Sequence, residues 1–419
     1  MACKCKRTFF ALVSTDIEDA AEIASSEFIT NSYNVLHSKR ILNGKFVRES
    51  YDCNNCSFVF DCRNCENCFG ATNKMNKKYL FFNEQLTKEE WEKKVAVIDF
   101  GDRIIVDEYR QKFRVLINEA VWPENFNERT SDCLGEYLTD STRMKNCYLC
   151  RKNSDNEFWC TFTHFAGTNN AFCFGGAATS NSYYGIVGNA SGCKFCEEAR
   201  QCIDCEYCCQ CSNCENCFAC VGLNHKRFCL FNKQYMEEEY WILVDKLKTK
   251  MLERGEYGEF FPVNFSPSYF PQTCARLFFG ADENFADLAG AKKFDPESAG
   301  AVGELSASSV VRNADELPNH LSEFNDDLLG QTFFDNTTNR RFSYLRPELD
   351  FYRKTKIIPP KIHYVARMEG LFRELNAGIF IEARCINCKK DLTVAKNFTY
   401  PHRKIYCHSC YLEYLEENN

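Results

Sequence analysis

Residues 193–220 read CKFCEEARQCIDCEYCCQCSNCENCFAC, with a small residue at every third position. Cysteine fills nine of those ten positions, and Ala199 fills the other. An α-helix repeats every 3.6 residues and a β-strand every 2, so a period of three fits neither. The period predicts a narrow β-solenoid in which each short side points one small residue inward. Coils of about 12 residues would stack Cys193, Cys205 and Cys217 at the ~4.8 Å spacing of neighbouring strands.

The same pattern occurs earlier in the chain, which indicates a duplication. Residues 53–91 and 202–240 align without gaps and match at 15 of 39 positions, including the run NCENCF. Such a repeat predicts stacked or paired units rather than one mixed domain. Asparagine tolerates the left-handed backbone that tight corners need, and it recurs in both units. The corner candidates are Asn55, Asn64, Asn67, Asn213 and Asn216.

The predicted fold class is mainly β: a duplicated narrow, cysteine-cored β-solenoid with capping helices, plus a small C-terminal zinc ribbon. One capping helix begins at Thr87, with Glu90 three residues on forming a capping box. The second covers 236–254, and both are expected to cover open solenoid ends. The predicted parts are an N-terminal segment 1–30, a first solenoid unit with its helix 31–98, a helical connector 99–135, a second unit with its helix 136–261, an acidic extended linker 262–337, and a basic segment with the zinc ribbon 338–419.

A four-cysteine metal site is predicted near the C-terminus. Cys385 and Cys388 form one CxxC knuckle, Cys407 and Cys410 form another, and 18 residues separate the two. This spacing is typical of a structural zinc site, in which two knuckles complete a tetrahedron of thiolates. Four cysteinates leave no open coordination position, so we expect zinc to hold the fold there rather than to act as a Lewis acid.

The triplet cysteines allow three interpretations. They form a reduced structural core, since buried cysteine behaves as a small hydrophobe. Alternatively, they bind further metal or an iron–sulfur cluster, or they form a disulfide ladder in an oxidising compartment. The vicinal pair Cys208–Cys209 can point only one thiol inward, which makes Cys209 the exposed candidate. The possible second metal or disulfide array comprises Cys53, Cys56, Cys62, Cys65, Cys68, Cys202, Cys205, Cys208, Cys211, Cys214, Cys217 and Cys220.

Charge is unevenly distributed along a chain whose formal net charge is −7. Residues 282–337 carry 12 acids and 3 bases, whereas residues 340–404 carry 15 bases and 6 acids. A basic stretch around a zinc site is one footprint of nucleic-acid binding, and a solvated face beside the acidic segment is the alternative. The candidate phosphate contacts are Lys389, Lys390, Lys396, Arg403 and Lys404.

Catalytic patterns are absent from the sequence: the seven histidines form no HExxH pair, and neither GxSxG nor Walker A occurs. The opening MACKCKRTFFALVSTDIEDA has no export-signal pattern, and nothing approaches 18 consecutive apolar residues. Cys3 and Cys5 lack a second knuckle, so no metal site is predicted there. We therefore expect a cytoplasmic, non-enzymatic protein without a membrane partner.

Three functions fit these observations. The leading hypothesis is a zinc-binding scaffold or adaptor whose basic ribbon docks a protein or ribonucleoprotein partner, or nucleic acid; a homo-oligomer stays open. The first alternative is a redox or metal-handling protein that uses the CxxC arrays with zinc, copper or iron–sulfur. The second alternative is a structural component of a particle or surface, strengthened by a disulfide ladder.

The stretch NCENCFACVGLNHKRFCLFNKQYMEEEY (213–240) resembles an uncharacterised cysteine-rich, zinc-ribbon-bearing family of candidate-phyla bacteria, often labelled Caib/baif family protein. GEYGEFFP (255–262), ELDFYRK (348–354) and CINC…YCHSCYLE (385–413) follow in the same order. The resemblance covers residues 140–415. It implies a cytosolic bacterial protein with a zinc ribbon at Cys385, Cys388, Cys407 and Cys410, and it implies no established activity.

Overall fold

The computed structural model describes Glu18 and residues 20–21, 32–37, 44–152, 154–294 and 311–419. Strands outnumber helices in these ranges, and they form many small sheets rather than one large sheet. Cys3, Cys5 and nearly all of the predicted N-terminal segment lie outside the described residues.

The first cysteine-rich segment forms a pile of short parallel strands, which we call the first stack (residues 47–85). Val47 pairs with Val59, and Val59 pairs with Ala71, so successive strands are offset by twelve residues. Isolated bridges between the strands keep the same offset. The strands are Val47–Arg48, Ser57–Phe60, Phe69–Thr72 and Leu80–Phe81, followed by the antiparallel Glu84–Gln85.

The second cysteine-rich segment builds a longer pile, the second stack (residues 128–234). Its parallel pairing begins at Glu128, earlier than the predicted boundary at 136, because strands without cysteine triplets join it. The offset is twelve between Cys217 and Cys229, and thirteen between Tyr148 and Thr161. The strands are Glu128–Ser131, Leu134–Glu136, Thr139–Thr142, Lys145–Tyr148, Thr161–His164, Ala171–Ala177, Tyr183–Gly188, Glu197–Arg200, Glu215–Phe218, Arg227–Leu230 and Lys233–Gln234.

A left-handed backbone recurs at every third residue through most of both stacks. The five predicted corner asparagines, Asn55, Asn64, Asn67, Asn213 and Asn216, all have φ between 49° and 53°, which confirms their assignment. Bulky residues also hold this conformation, including Phe58 and Tyr207, and the sequence did not predict that. A left-handed residue with a side chain costs about 1–2 kcal/mol, so packing within the stack must offset many such terms.

Small side chains fill the interiors of the stacks. In the first stack the cysteine columns, Val59 and Ala71 form one buried cluster, and in the second a continuous cluster runs from Val187 to Cys229. The middle of the second stack differs, because its buried interior residues there are largely polar. These polar residues are Ser154, Glu157, Thr163, Asn170, Thr179 and Ser182.

Three helices pack beside the stacks. Helix Lys88–Ala96 begins at Thr87 with both capping-box hydrogen bonds, as predicted, and helix Arg103–Glu119 follows it. Helix Glu237–Glu253 packs in one apolar cluster with Phe195, Tyr207 and Phe218, which lie eleven or twelve residues apart, so it covers a side of the second stack as well as its end. The three-residue period of the cysteines could not predict this packing, because the side face is formed by aromatic residues about twelve residues apart in the sequence.

The described parts of the segment 262–337, residues 262–294 and 311–337, pack onto the rest of the chain, so the prediction of an extended linker is wrong for them. Its buried aromatic residues Phe278, Phe324 and Phe333 belong to the main hydrophobic core, and their burial orders the backbone around them. Its elements are the 3-10 turns Val263–Phe265, Phe270–Gln272, Ala314–Glu316, Leu321–Glu323 and Asp326–Leu328, the helices Cys274–Phe279 and Glu283–Leu288, and the strands Val311–Asn313 and Thr332–Asp335.

The C-terminal part carries a small unit that we call the ribbon (residues 376–418). Strand Arg340–Phe342 and helices Arg346–Thr355 and Tyr364–Phe372 precede it. The ribbon itself consists of the hairpin Asn376–Arg384 and Asp391–Asn397, strand Lys404–Tyr406 and helix His408–Asn418.

Candidate metal centre

The ribbon is held against the first stack by contacts that the sequence did not predict. Strand Lys404–Tyr406 pairs in parallel with Val121–Pro123. The side chain of Asn73, on the first stack, bonds both the N–H and the carbonyl of Val121, at 3.1 and 2.8 Å. Tyr411 on the last helix donates its hydroxyl proton to the buried carboxylate of Asp61. The ribbon is therefore anchored to the edge of the first stack that carries Asp61 and Asn73, directly through Tyr411 and indirectly through strand Val121–Pro123.

The two CxxC knuckles meet between the hairpin turn and the last helix. Cys385 and Cys388 lie where the hairpin turns, and the amide of Cys385 donates to the carbonyl of Lys390 at 2.9 Å. Cys407 is the N-cap residue of helix His408–Asn418, and Cys410 lies in its first turn. Ile386 donates its N–H to the carbonyl of Ile405 at 2.9 Å, which ties one knuckle to the other.

The four sulfur atoms of Cys385, Cys388, Cys407 and Cys410 all lie within 4.8 Å of one another. The sulfurs of Cys388 and Cys407 lie 3.6 Å apart. A tetrahedral ion with metal–sulfur bonds of about 2.3 Å separates its ligand sulfurs by about 3.8 Å. The predicted cluster is thus assembled, and it could hold a metal ion.

Burial and backbone hydrogen bonds set the protonation of this cluster. Cys385, Cys407 and Cys410 are buried, whereas Cys388 is exposed. Burial opposes ionisation of Cys385, but amide donors at Cys407 and Cys388 outweigh it and lower its pKa to about 6. The amide of Cys407 lies 3.3 Å from the Cys385 sulfur. The Cys385 thiol therefore ionises more readily than an ordinary cysteine, and the thiolate is the form that binds a metal ion.

Four of the five predicted phosphate contacts lie on the surface. Lys389, Lys390, Lys396 and Lys404 are all exposed. Lys404 also donates through Nζ to the carbonyl of Glu119, at 3.1 Å, which fixes it near the end of helix Arg103–Glu119. These side chains leave a cationic surface on the ribbon.

Arg403 does not belong to that surface. It is buried, its guanidinium donates to the carbonyl of Ala395, and it lies 5.3 Å from the ring of Trp122. Burial lowers the pKa of this guanidinium from its usual value. The prediction of Arg403 as a phosphate contact is therefore wrong, because Trp122 and the hairpin enclose it.

The triplet cysteines are directed inward as a column of thiols. Most of these thiols lie near two carbonyl oxygens: that of Cys62, for example, is 3.5 Å from the carbonyl of Phe60 and 3.4 Å from that of Ala71. Burial raises the pKa of Cys62 well above its ordinary value. In the part of the chain that the structure describes, only the ribbon brings three or more metal-type ligands together. Cys209 alone of the vicinal pair is partly exposed, as predicted.

A buried polar network was missed entirely by sequence reasoning. Tyr137 donates its hydroxyl to Glu49 at 3.0 Å and accepts from the amide of Asn376 at 3.0 Å. The side chain of Asn376 donates to Glu136 at 3.1 Å. Burial raises the pKa of both Glu49 and Glu136 to about 8. This network joins the ribbon hairpin to the starts of both stacks, and only tertiary contacts could reveal it.

Comparisons with known proteins give little guidance. No protein-family model matches the chain, and no curated protein matches it. Among solved structures, it is similar to a "putative acetyltransferase" from Desulfovibrio desulfuricans G20, with 10% sequence identity and a TM-score of 0.12. The match covers 46% of this chain and 52% of that protein, so it spans about half of that protein's length. A similarity this low carries no argument about fold or function.

None of the helices in the described ranges is long and apolar enough to cross a membrane.

Proposed function

We propose that this protein is a non-enzymatic scaffold or adaptor, in which a zinc-bound ribbon is held on a duplicated, cysteine-cored β-solenoid. The observation that carries the proposal is the four-sulfur cluster, whose members all lie within 4.8 Å of one another on a ribbon bonded to Asp61 of the first stack. A tetrahedral, all-thiolate site favours zinc and leaves no position for substrate. Its role is then to hold the ribbon in a shape that a partner can recognise.

The solenoid interpretation rests on three features of the stacks. Parallel pairs recur at offsets of eleven to thirteen residues, left-handed residues recur at every third position, and small side chains point inward. Together these features describe short sides joined by tight corners, with neighbouring coils bonded as in a parallel sheet. A rigid body of this kind suits a scaffold.

The cysteine columns act in this proposal as a reduced structural core. Most inward thiols already lie near two carbonyl oxygens, as Cys205 does near those of Ile203 and Cys214. The columns therefore satisfy their polar groups as thiols, without metal or disulfide. A reducing compartment such as the cytoplasm preserves that state. Membership of the uncharacterised cysteine-rich family is likewise a proposal, resting on the motifs at 213–240 and 385–413.

The docking partner is proposed to be nucleic acid or a ribonucleoprotein that meets the lysines of the ribbon. Lys389 and Lys390 lie side by side on an exposed knuckle. Neutralising two phosphate contacts lowers the salt dependence of single-strand binding by about 1.4 in the slope of log K against log salt. We expect Lys389→Gln/Lys390→Gln to show that decrease against a single-stranded RNA probe.

The matched control is Lys246→Gln/Lys250→Gln, which removes two exposed lysines from helix Glu237–Glu253. It should bind as the unaltered protein does. If the unaltered protein does not bind the probe at low salt, or if both double variants lose binding equally, the nucleic-acid part of the proposal fails. A protein partner would then have to be sought on the same ribbon.

A further inference from the structure

A small pocket between helix Arg103–Glu119 and helix Tyr364–Phe372 has an unusual lining. Its volume is about 200 Å³, and four arginines contribute to its wall: Arg48, Arg110, Arg114 and Arg367. Among the described residues that line it, the only acid is Glu374. The pocket is separate from the four cysteines of the metal centre, and the proposed scaffold function does not require it.

The two inner arginines already have carboxylate partners. Arg48 donates through Nε to Glu374, at 2.6 Å, and is buried. Arg367 donates to Glu348 at 3.2 Å. These ion pairs hold two guanidinium groups in fixed positions at the base of the pocket. Because each of these two arginines is paired with a carboxylate, neither adds net positive charge to the pocket.

The excess positive charge comes from the two outer arginines. Arg110 and Arg114 lie one helical turn apart, and like charges at this spacing destabilise a helix. Arg110 forms a long ion pair with Asp107, at 3.8 Å, and its guanidinium stands 4.7 Å from the ring of Phe46. Within the described ranges, no ion pair of Arg114 is found. Arg114 therefore adds an uncompensated positive charge to the pocket wall, beside Arg110 with its long ion pair, and an anion in the pocket would balance it.

We propose that this pocket binds a phosphate-bearing small molecule, with its phosphate oxygens between Arg110 and Arg114. A planar guanidinium presents paired N–H donors that match phosphate oxygens, and ion-paired arginines behind it keep the site preorganised. The pocket volume suits a mono- or diphosphate group rather than a large ligand. Phe46, Phe113 and Tyr400 form its apolar wall, which lowers the local dielectric and strengthens the contact.

The test uses inorganic pyrophosphate and isothermal titration calorimetry on the full chain at about 50 mM salt, where screening is weak. Charge-assisted hydrogen bonds are strong enough that losing each arginine should weaken binding about tenfold or more. We expect Arg110→Gln/Arg114→Gln to lose measurable binding. Arg114→Lys, which keeps the charge but not the fork, should retain part of it.

The control is Arg254→Gln, which removes an exposed arginine beyond the end of helix Glu237–Glu253. It should bind pyrophosphate as the unaltered protein does. The proposal is overturned if the unaltered protein shows no binding, if the double variant binds as tightly as it, or if Arg254→Gln loses binding to the same extent. A thermal melt of each variant establishes whether it is folded. Should the double variant unfold, Arg114→Lys decides the question, because it keeps the helix charge. Binding by Arg114→Lys as tight as that of the unaltered protein would then overturn the proposal.

Discussion

The two stacks share an interior but differ on one outer edge. Phe58 and Phe69 in the first stack pack against helix Arg103–Glu119, and their counterparts 149 residues later, Tyr207 and Phe218, pack in the cluster of helix Glu237–Glu253. The duplication has therefore kept both the small-residue core and one helix-covered face.

The opposite edge has diverged. In the first stack, Asp61 and Asn73 bind the last helix of the ribbon and strand Val121–Pro123. The counterparts in the second stack are Gln210 and Gly222, which are both exposed. At these equivalent positions only the first stack has polar groups that bond the last helix of the ribbon and the strand beside it.

Removing the proposed zinc should produce the largest difference between the two stacks. Structural zinc contributes about 10 kcal/mol or more to the folding of small four-ligand sites, so a chelator should unfold the ribbon. Hydrogen–deuterium exchange should then rise in residues 376–418 and in the first-stack coils at 57–75. Residues 202–230 should keep their protection, because helix Glu237–Glu253 rather than the ribbon packs on them. Equal loss in both stacks would show that the ribbon does not dock selectively.

Asp61 makes the docked edge sensitive to pH. Burial raises its pKa from 3.8 to about 6, so between those values the folded state holds a proton that the unfolded state releases. Stability should therefore fall as pH rises from about 4 to 6, by about 1.4 kcal/mol per unit, and be unaffected by this group above that window. Urea unfolding should show that Asp61→Asn removes this component.

Asp204→Asn, an exposed position in the second stack, serves as the control and should leave the pH dependence unchanged. If Asp61→Asn follows the unaltered protein across the whole window, the carboxylate does not titrate in the docked edge, and the role given to it is wrong.

The common interior should respond alike in both stacks. Cys65 and Cys214 are equivalent and fully buried, so Cys65→Leu and Cys214→Leu should each cost about 1–3 kcal/mol through overpacking. Cys209→Leu changes an outward thiol and should cost less than about 0.5 kcal/mol. Chemical denaturation measures all three. If Cys214→Leu does not lower the free energy of unfolding, the interior of the second stack is not tightly packed.

The corners should show the smallest difference. Asn64 and Asn213 are equivalent and left-handed, with φ of 51° and 52°. Replacing either by alanine should cost about 1 kcal/mol, and glycine should recover most of that loss. Asn64 also donates to Asn76 at 2.7 Å, so Asn64→Ala should be the more costly change in denaturation experiments. Equal losses of stability in Asn64→Ala and Asn213→Ala would show that the hydrogen bond between Asn64 and Asn76 does not contribute to stability.

Local patterns in the sequence predicted a good part of this structure. The three-residue period led to the inward columns and the offset of twelve, and the capping box placed helix Lys88–Ala96. The paired CxxC motifs identified the sulfur cluster. These features depend on residues near one another in sequence or one coil apart, where spacing determines position.

Long-range contacts could not be predicted in the same way. The charge of Arg403 indicated a surface residue, but Trp122, far away in sequence, encloses it. The acidic segment 262–337 suggested a linker from its composition, while its aromatic residues such as Phe333 were the signal that it packs. The arginines around the small pocket come from three separate parts of the chain, so no motif joins them.

The central claim is that the metal site and the cysteine-filled interiors are chemically separate: one ion binds in the ribbon, and the cysteines of the stacks remain free thiols. Elemental analysis of the purified chain, paired with thiol counting under denaturing conditions, tests it most directly. The account predicts one zinc per chain, lost in Cys385→Ser/Cys388→Ser, and 28 thiols in the denatured unaltered chain, of which 24 come from outside the metal site. Two or more metal ions per chain, metal retained in that variant, or a marked shortfall of thiols would contradict it.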